Sequence, residues 1–345
     1  MSQHSSINDN YAPLHQQDID SLSLMIEKEC TTYACRDYLN QSDNSDCNES
    51  ESLLCHDQVH KVTPDDRTKI VDWCYNIVDQ CQFERESVAV AMNIVDRFMS
   101  STQGHQYILY NRGQYQLLTM TALYISIKIK ERSSFSSNDF SAASHGTYST
   151  EEIESMELTI LRGLKWRLCF PTALHVGCQI LELMVPKVLG RVESGTWDFL
   201  REELAFQTEN AVRGYFFTTQ RSSTVAAMAI MNATEQVNDA DSELLMNALL
   251  CVLNEFEFDS PRVLLNTKEQ LRCLMEENEE CDADVPETAM RPCINEPTLE
   301  EAHDAYDNAC HRSMVVSPKN IQSLPPISYL VDCTEKHGDS CTTVY

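Results

Sequence analysis

The chain is rich in residues that could do covalent or metal chemistry, and their spacing argues against both. Fifteen cysteines and ten histidines fall among 345 residues. A structural zinc site needs thiolates and imidazoles closely spaced, typically with a Cys-x2-Cys half, and no such pair occurs. The closest cysteines are Cys30 and Cys35, then Cys74 and Cys81. Histidines concentrate towards the ends (His4, His15, His56, His60, His303, His311, His337), and no nucleophile or metal constellation is visible among them. Several cysteines share helical stripes with aliphatic residues, where a thiol acts as a small hydrophobe. The odd total suits a reducing compartment. The expectation is a protein without metal, cofactor or catalytic residue, and not an enzyme.

The spacing does support electrostatic chemistry. Arg67, in Arg67-Thr-Lys-Ile-Val-Asp-Trp73, lies beside apolar positions of one helix, and Asp96, in Ala91-Met-Asn-Ile-Val-Asp-Arg-Phe98, beside those of the next. Lys128 closes an apolar helix and Glu157 lies on a later one. Charges so placed must find partners or reach water.

Helices have to position these groups, and their boundaries are marked. Thr63-Pro64-Asp65-Asp66 offers a hydroxyl cap, proline in the first turn and two carboxylates at the helix's positive end. Further helices are expected at about 85–101, 112–131, 137–144 and 149–162, the last opened by the capping box Ser149-Thr-Glu-Glu152. The third is apolar nearly all round, as a buried central helix must be. After Gly163 to Pro171 a second set is expected at about 172–189, 196–211, 222–237, 242–256 and 261–276. No strand-period alternation competes, so the fold class is all-α: two tandem five-helix bundles. The expected division is a disordered 1–18, an amphipathic helix and polar linker over 19–62 (the helix at 19–39), bundles over 63–170 and 171–277, and an acidic disordered tail over 278–345.

Composition narrows the partners. A formal charge of −27 disfavours a nucleic-acid groove, and no apolar run approaches the roughly 20 residues of a membrane span. The N-terminus carries neither a basic start nor an apolar segment, so no signal peptide is expected and the chain is placed in nucleus or cytoplasm.

The order Arg67, Asp72-Trp73, Asp96, Lys128, Glu157 resembles the cyclin box closely over 67–168, and the cyclin fold more loosely to about 276. The stretches Cys35-Arg-Asp-Tyr-Leu39 and Leu164-Lys-Trp-Arg-Leu168 are similar to diatom and D-type cyclins. The resemblance implies tandem cyclin-like folds and a regulatory subunit that activates a cyclin-dependent Ser/Thr kinase. It implies a buried Arg67–Asp96 pair, and contacts from Lys128 and Glu157 to the kinase near its mobile helix. Trp73 and Gln116 match a patch that docks Arg-x-Leu peptides in many cyclins, where Tyr115 stands in place of a leucine. Asp66 and Lys69 replace its apolar floor, which points to poor docking and to Trp73 as core, with an exposed Asp66 left to attract an arginine. Leu53, Cys55 and Asp57 resemble the signal by which D-type cyclins bind retinoblastoma-like proteins. Arg36, Leu39 and Asn44 match a destruction box read by a ubiquitin ligase; the competing reading puts Leu39 on the N-terminal helix. Rival functions are a transcription- or nutrient-linked cyclin, and a general transcription factor reusing the fold on DNA, which would need basic residues and usually a zinc ribbon.

Overall fold

The computed structural model describes residues 12–40, 61–101, 106–131, 136–188 and 190–282. Helix α1 spans Ala12–Thr31. The first bundle follows: α2 (Pro64–Cys81), α3 (Glu86–Ser101), the single turn α4 (Gln106–Leu109), α5 (Arg112–Lys130), α6 (Ser137–Ala143) and α7 (Thr150–Gly163). The second comprises α8 (Ala173–Met184), α9 (Ser194–Arg213), α10 (Ser222–Glu235), α11 (Asp239–Glu255) and α12 (Pro261–Asp282). Short 3-10 turns at Val185–Val188 and Tyr215–Thr219 follow α8 and α9. No strand occurs among the described residues.

The caps form as their sequences dictate. Thr63 and Asp66 close a reciprocal capping box on α2, and Ser149 and Glu152 do the same on α7. Each box satisfies otherwise orphaned backbone donors of the first turn. Helix α5 is the axis of the first bundle, buried without interruption from Tyr115 to Ile127. Its small residues Ala122 and Ser126 admit α3 so closely that the Ser126 hydroxyl donates to the Ser87 carbonyl at 2.7 Å. Helix α10 is the counterpart axis, its alanines 226, 227, 229 and 233 buried among α8, α9, α11 and α12.

The N-terminal region departs from expectation. Helix α1 begins at Ala12, so residues 12–18 are helical, and it ends at Thr31 rather than continuing to 39. Residues 33–40 form a non-helical strap. One apolar run is thereby shared between two cores. Leu22 and Ile26 bury in the second bundle, Tyr38 and Leu39 in the first. A single helix cannot face both cores, and burying each of these side chains is worth roughly 1.5–3 kcal/mol, so the helix ends where the chain crosses. At the other end α12 runs past 278 to Asp282.

Candidate functional site

Arg67 and Asp96 meet in the interior. Nη2 of Arg67 lies 2.8 Å from Asp96 Oδ2 and Nε lies 3.2 Å from Oδ1, a two-pronged pair with side chains 3% and 5% exposed. The Tyr38 hydroxyl donates to Asp96 Oδ1 at 2.8 Å and lies 3.3 Å from the Tyr115 hydroxyl. Arg67 Nη1 donates to the Val212 carbonyl at 2.7 Å and that of Arg213 at 3.3 Å. Those carbonyls end α9, where a helix carries its partial negative charge. Burial pulls the Arg67 pKa down, but the Asp96 charge and its hydrogen bonds outweigh that and leave it above its ordinary value. Burial, then the Asp96 charge, pushes Tyr38 well above the usual phenol range. The pair therefore joins three parts of the chain: the first bundle, the end of α9 and the strap. Arg213 extends the joint, its Nε 2.6 Å from Asp72 Oδ1.

Lys128 and Glu157 stand on a different footing. Lys128 lies near the end of α5, with Nζ 4.3 Å from the centre of the Tyr124 ring and paired with the Glu157 carboxylate on α7. Their side chains are 38% and 17% exposed. Sequence placed both on one functional surface; their direct pairing across α5 and α7 is new. Exposed Ile129 and Leu158 follow them in sequence.

The structure places the remaining sequence assignments. Trp73 lies in the core, 8% exposed, and Tyr115 and Gln116 are each 1% exposed. Gln116 accepts from the Tyr148 hydroxyl at 3.0 Å, and Tyr115 belongs to the Arg67–Asp96 network. Asp66, expected to be exposed, is 4% exposed; it caps α2 and pairs with Arg112 at 3.0 Å. Lys69 pairs with Asp65 on the surface. Leu39 of the destruction-box match is neither accessible nor helical: it is 5% exposed, packed in the first core from the strap. Arg36 is exposed, but its backbone is held by the Ser100 hydroxyl at 3.0 Å. Asn44, and Leu53, Cys55 and Asp57, lie outside the described residues. Among the described residues no group of three or more His, Cys, Asp or Glu is arranged to hold a metal ion, and no helix is long and apolar enough to cross a membrane.

Sequence reading missed two anchors of the strap and α1. The Tyr215 hydroxyl accepts from the Tyr38 and Leu39 amides at 3.0 and 2.9 Å and donates to Asp37 Oδ1 at 2.8 Å. Glu29 of α1 is buried against the start of α10, accepting from the Ser223 amide and from Arg221 Nε, each at 2.9 Å. Helix α10 has no side-chain cap of its own, and Glu29 supplies one from 194 residues away in sequence. Only the lead-in Cys35 to Leu39 hinted at either.

Residues 34–169 match the family described as cyclin, N-terminal domain. The matched segment begins inside the strap, so the strap and the charged pair it covers are parts of one domain. Over those residues the chain is similar to the cyclins. It is 34% identical over 109 residues to the G2/mitotic-specific cyclin-B2 of Rana japonica, covering 32% of this chain and 26% of that protein. It is 28% identical over 218 residues to cyclin-A1-2 of Arabidopsis thaliana, covering 63% and 46%. The chain thus spans less than half the length of those relatives. A viral cyclin from herpesvirus saimiri superposes with a TM-score of 0.49 at 17% identity, covering 63% of this chain and 87% of that one.

Proposed function

We propose that this chain is a cyclin, the regulatory subunit of a cyclin-dependent Ser/Thr kinase, working in nucleus or cytoplasm in the control of cell division. The observation that carries the reading is the Lys128–Glu157 pair, set at the surface in register with the buried Arg67–Asp96 pair. An exposed ion pair contributes about 0–1 kcal/mol to stability, so parting its members to engage a partner costs little. Each freed charge can then form a hydrogen bond to kinase backbone. Such hydrogen bonds seat the kinase's mobile helix so that its glutamate reaches the ATP-binding lysine, which phosphoryl transfer requires. Activation then follows from higher affinity for the active kinase conformation. The A- and B-type relatives, one named G2/mitotic-specific, favour cell division over a transcription- or nutrient-linked role.

The test is co-purification. The full chain should capture a kinase from a lysate of its source cells and raise its phosphorylation of histone, while Lys128→Ala with Glu157→Ala should do neither and melt as wild type does. Undiminished activation by that double variant would overturn the assignment.

A further inference from the structure

Where the strap crosses between the bundles it covers a cavity of about 320 Å³. Its walls include Tyr33 and Cys35 of the strap, Met92 and Asn93 of α3, and the stretch from Thr218 to Val225 that leads into α10. Exposed Cys30 and Thr219 stand at the rim. The volume falls within the range of about 300–1,000 Å³ typical of small-molecule sites, and the mostly apolar lining is typical too.

The charged groups along the wall are all engaged. Arg67 pairs with Asp96, Arg85 with Asp79 and Glu209, Arg221 with Glu29 and Asp259, and Glu86 with Lys130. A charged ligand would have to break one of these pairs, whereas a neutral one breaks none. Two buried polar atoms of the lining, Asn93 Oδ1 and Thr218 Oγ1, have no hydrogen-bond partner among the described residues. Among the described residues the Asn93 amide nitrogen reaches only the Cys35 sulfur, at 3.9 Å. Buried polar atoms normally find partners, because leaving them bare forfeits their hydration. A carboxamide oxygen accepts, and a threonine hydroxyl both donates and accepts.

We propose that this inter-bundle cavity binds a neutral, largely apolar small molecule carrying a hydroxyl or N–H donor, with Asn93 and Thr218 as its polar contacts. Because both bundles and the strap supply walls, an occupant would tie the three together. The site is independent of the kinase-binding surface at Lys128 and Glu157.

The probe is p-cresol, with toluene as the same shape lacking the hydroxyl, added to the full chain labelled with ¹³C-methyl methionine. The Met92 methyl, assigned through Met92→Leu, reports from inside the cavity. Titration with p-cresol should move that signal saturably and raise the melting temperature. Toluene should bind about tenfold more weakly, the loss of roughly one hydrogen bond. Asn93→Leu should bring p-cresol down to the toluene level, and Ala89→Trp, which fills the space, should abolish both. A Met92 signal unmoved at millimolar p-cresol would mean that the cavity serves hydration alone, and would overturn the proposal. So would equal affinity for p-cresol and toluene. Should Ala89→Trp fold poorly, the Met92 titration of the wild type decides by itself.

Discussion

Two ion pairs of the same chemistry, Arg67–Asp96 and Lys128–Glu157, differ in almost everything else. The first is sealed, 3% and 5% exposed, and further hydrogen-bonding groups converge on or beside it: two α9 carbonyls and two tyrosine hydroxyls, one of them carried by the strap. The second is partly open to water, 38% and 17% exposed, with the Tyr124 ring beside it. Burial makes a pair indispensable to the fold, because losing one member strands the other in a medium that cannot solvate it. Exposure makes a pair exchangeable, because water can replace either member. The first therefore serves architecture, and the second is free to serve a partner.

The largest expected effect is on the sealed pair. Asp96→Ala should destabilise the free protein by about 3–5 kcal/mol, since Arg67 and Tyr38 lose their shared acceptor. Arg67→Met with Asp96→Leu should recover part of that loss in a urea melt. An Asp96→Ala midpoint equal to wild type would erase the distinction between the pairs.

The open pair should show the opposite profile. Alanine at both Lys128 and Glu157 should change stability by no more than about 1 kcal/mol, yet reduce kinase affinity by roughly 1.5–3 kcal/mol for each charge-assisted hydrogen bond removed. Calorimetry of the pure proteins separates the two effects, and a large fall in stability would make this pair architectural as well.

Tyr38→Phe sharpens the contrast by removing one hydrogen bond while sparing the salt bridge. A loss of about 1.5–3 kcal/mol is expected, as for a bond to a charged acceptor. The pH dependence follows from the same residue. Burial raises the folded Tyr38 pKa above its unfolded value, so its contribution is complete below about pH 10 and is lost as pH climbs towards the folded value. Alkaline melts should show a steeper decline for wild type than for Tyr38→Phe; parallel curves would contradict the burial of this hydroxyl.

Near-zero effects are expected at the docking-patch and destruction-box matches. Arg-x-Leu peptides should give no saturable fluorescence polarisation below about 100 µM, because burying the peptide's leucine needs an apolar floor and Trp73, Tyr115 and Gln116 are sealed in the core. Low-micromolar binding abolished by Trp73→Ala would contradict this. Arg36→Ala should leave the half-life in a cycloheximide chase unchanged, since Leu39, the other half of the motif, is buried. A clearly prolonged half-life would show that the strap detaches in cells.

Much of this site was legible because its signals are local or periodic. Capping residues announce the starts of α2 and α7, an apolar surface nearly all round announces α5, and charges set among apolar neighbours at positions 67 and 96 demand a partner. What sequence could not show was which distant groups complete each charge. Tyr38 reaches Asp96 across 58 positions, and Arg67 reaches Val212 across 145. Neither separation has a helical or turn periodicity to betray it. The destruction-box match shows a related limit: a short pattern specifies residue types, but not whether they face water.

By itself the sequence determined the all-helical class, the two tandem bundles, the central helices and the four charged residues, since caps, periodicity and isolated charges act within a turn or two of the chain. Only the tertiary structure decided that α1 stops at Thr31 so that one apolar run can serve two cores, that Glu29 caps α10, and that one ion pair is sealed while its twin stays open. Those outcomes depend on which surfaces exclude water when the bundles meet, and that is a property of the packed chain rather than of any segment within it.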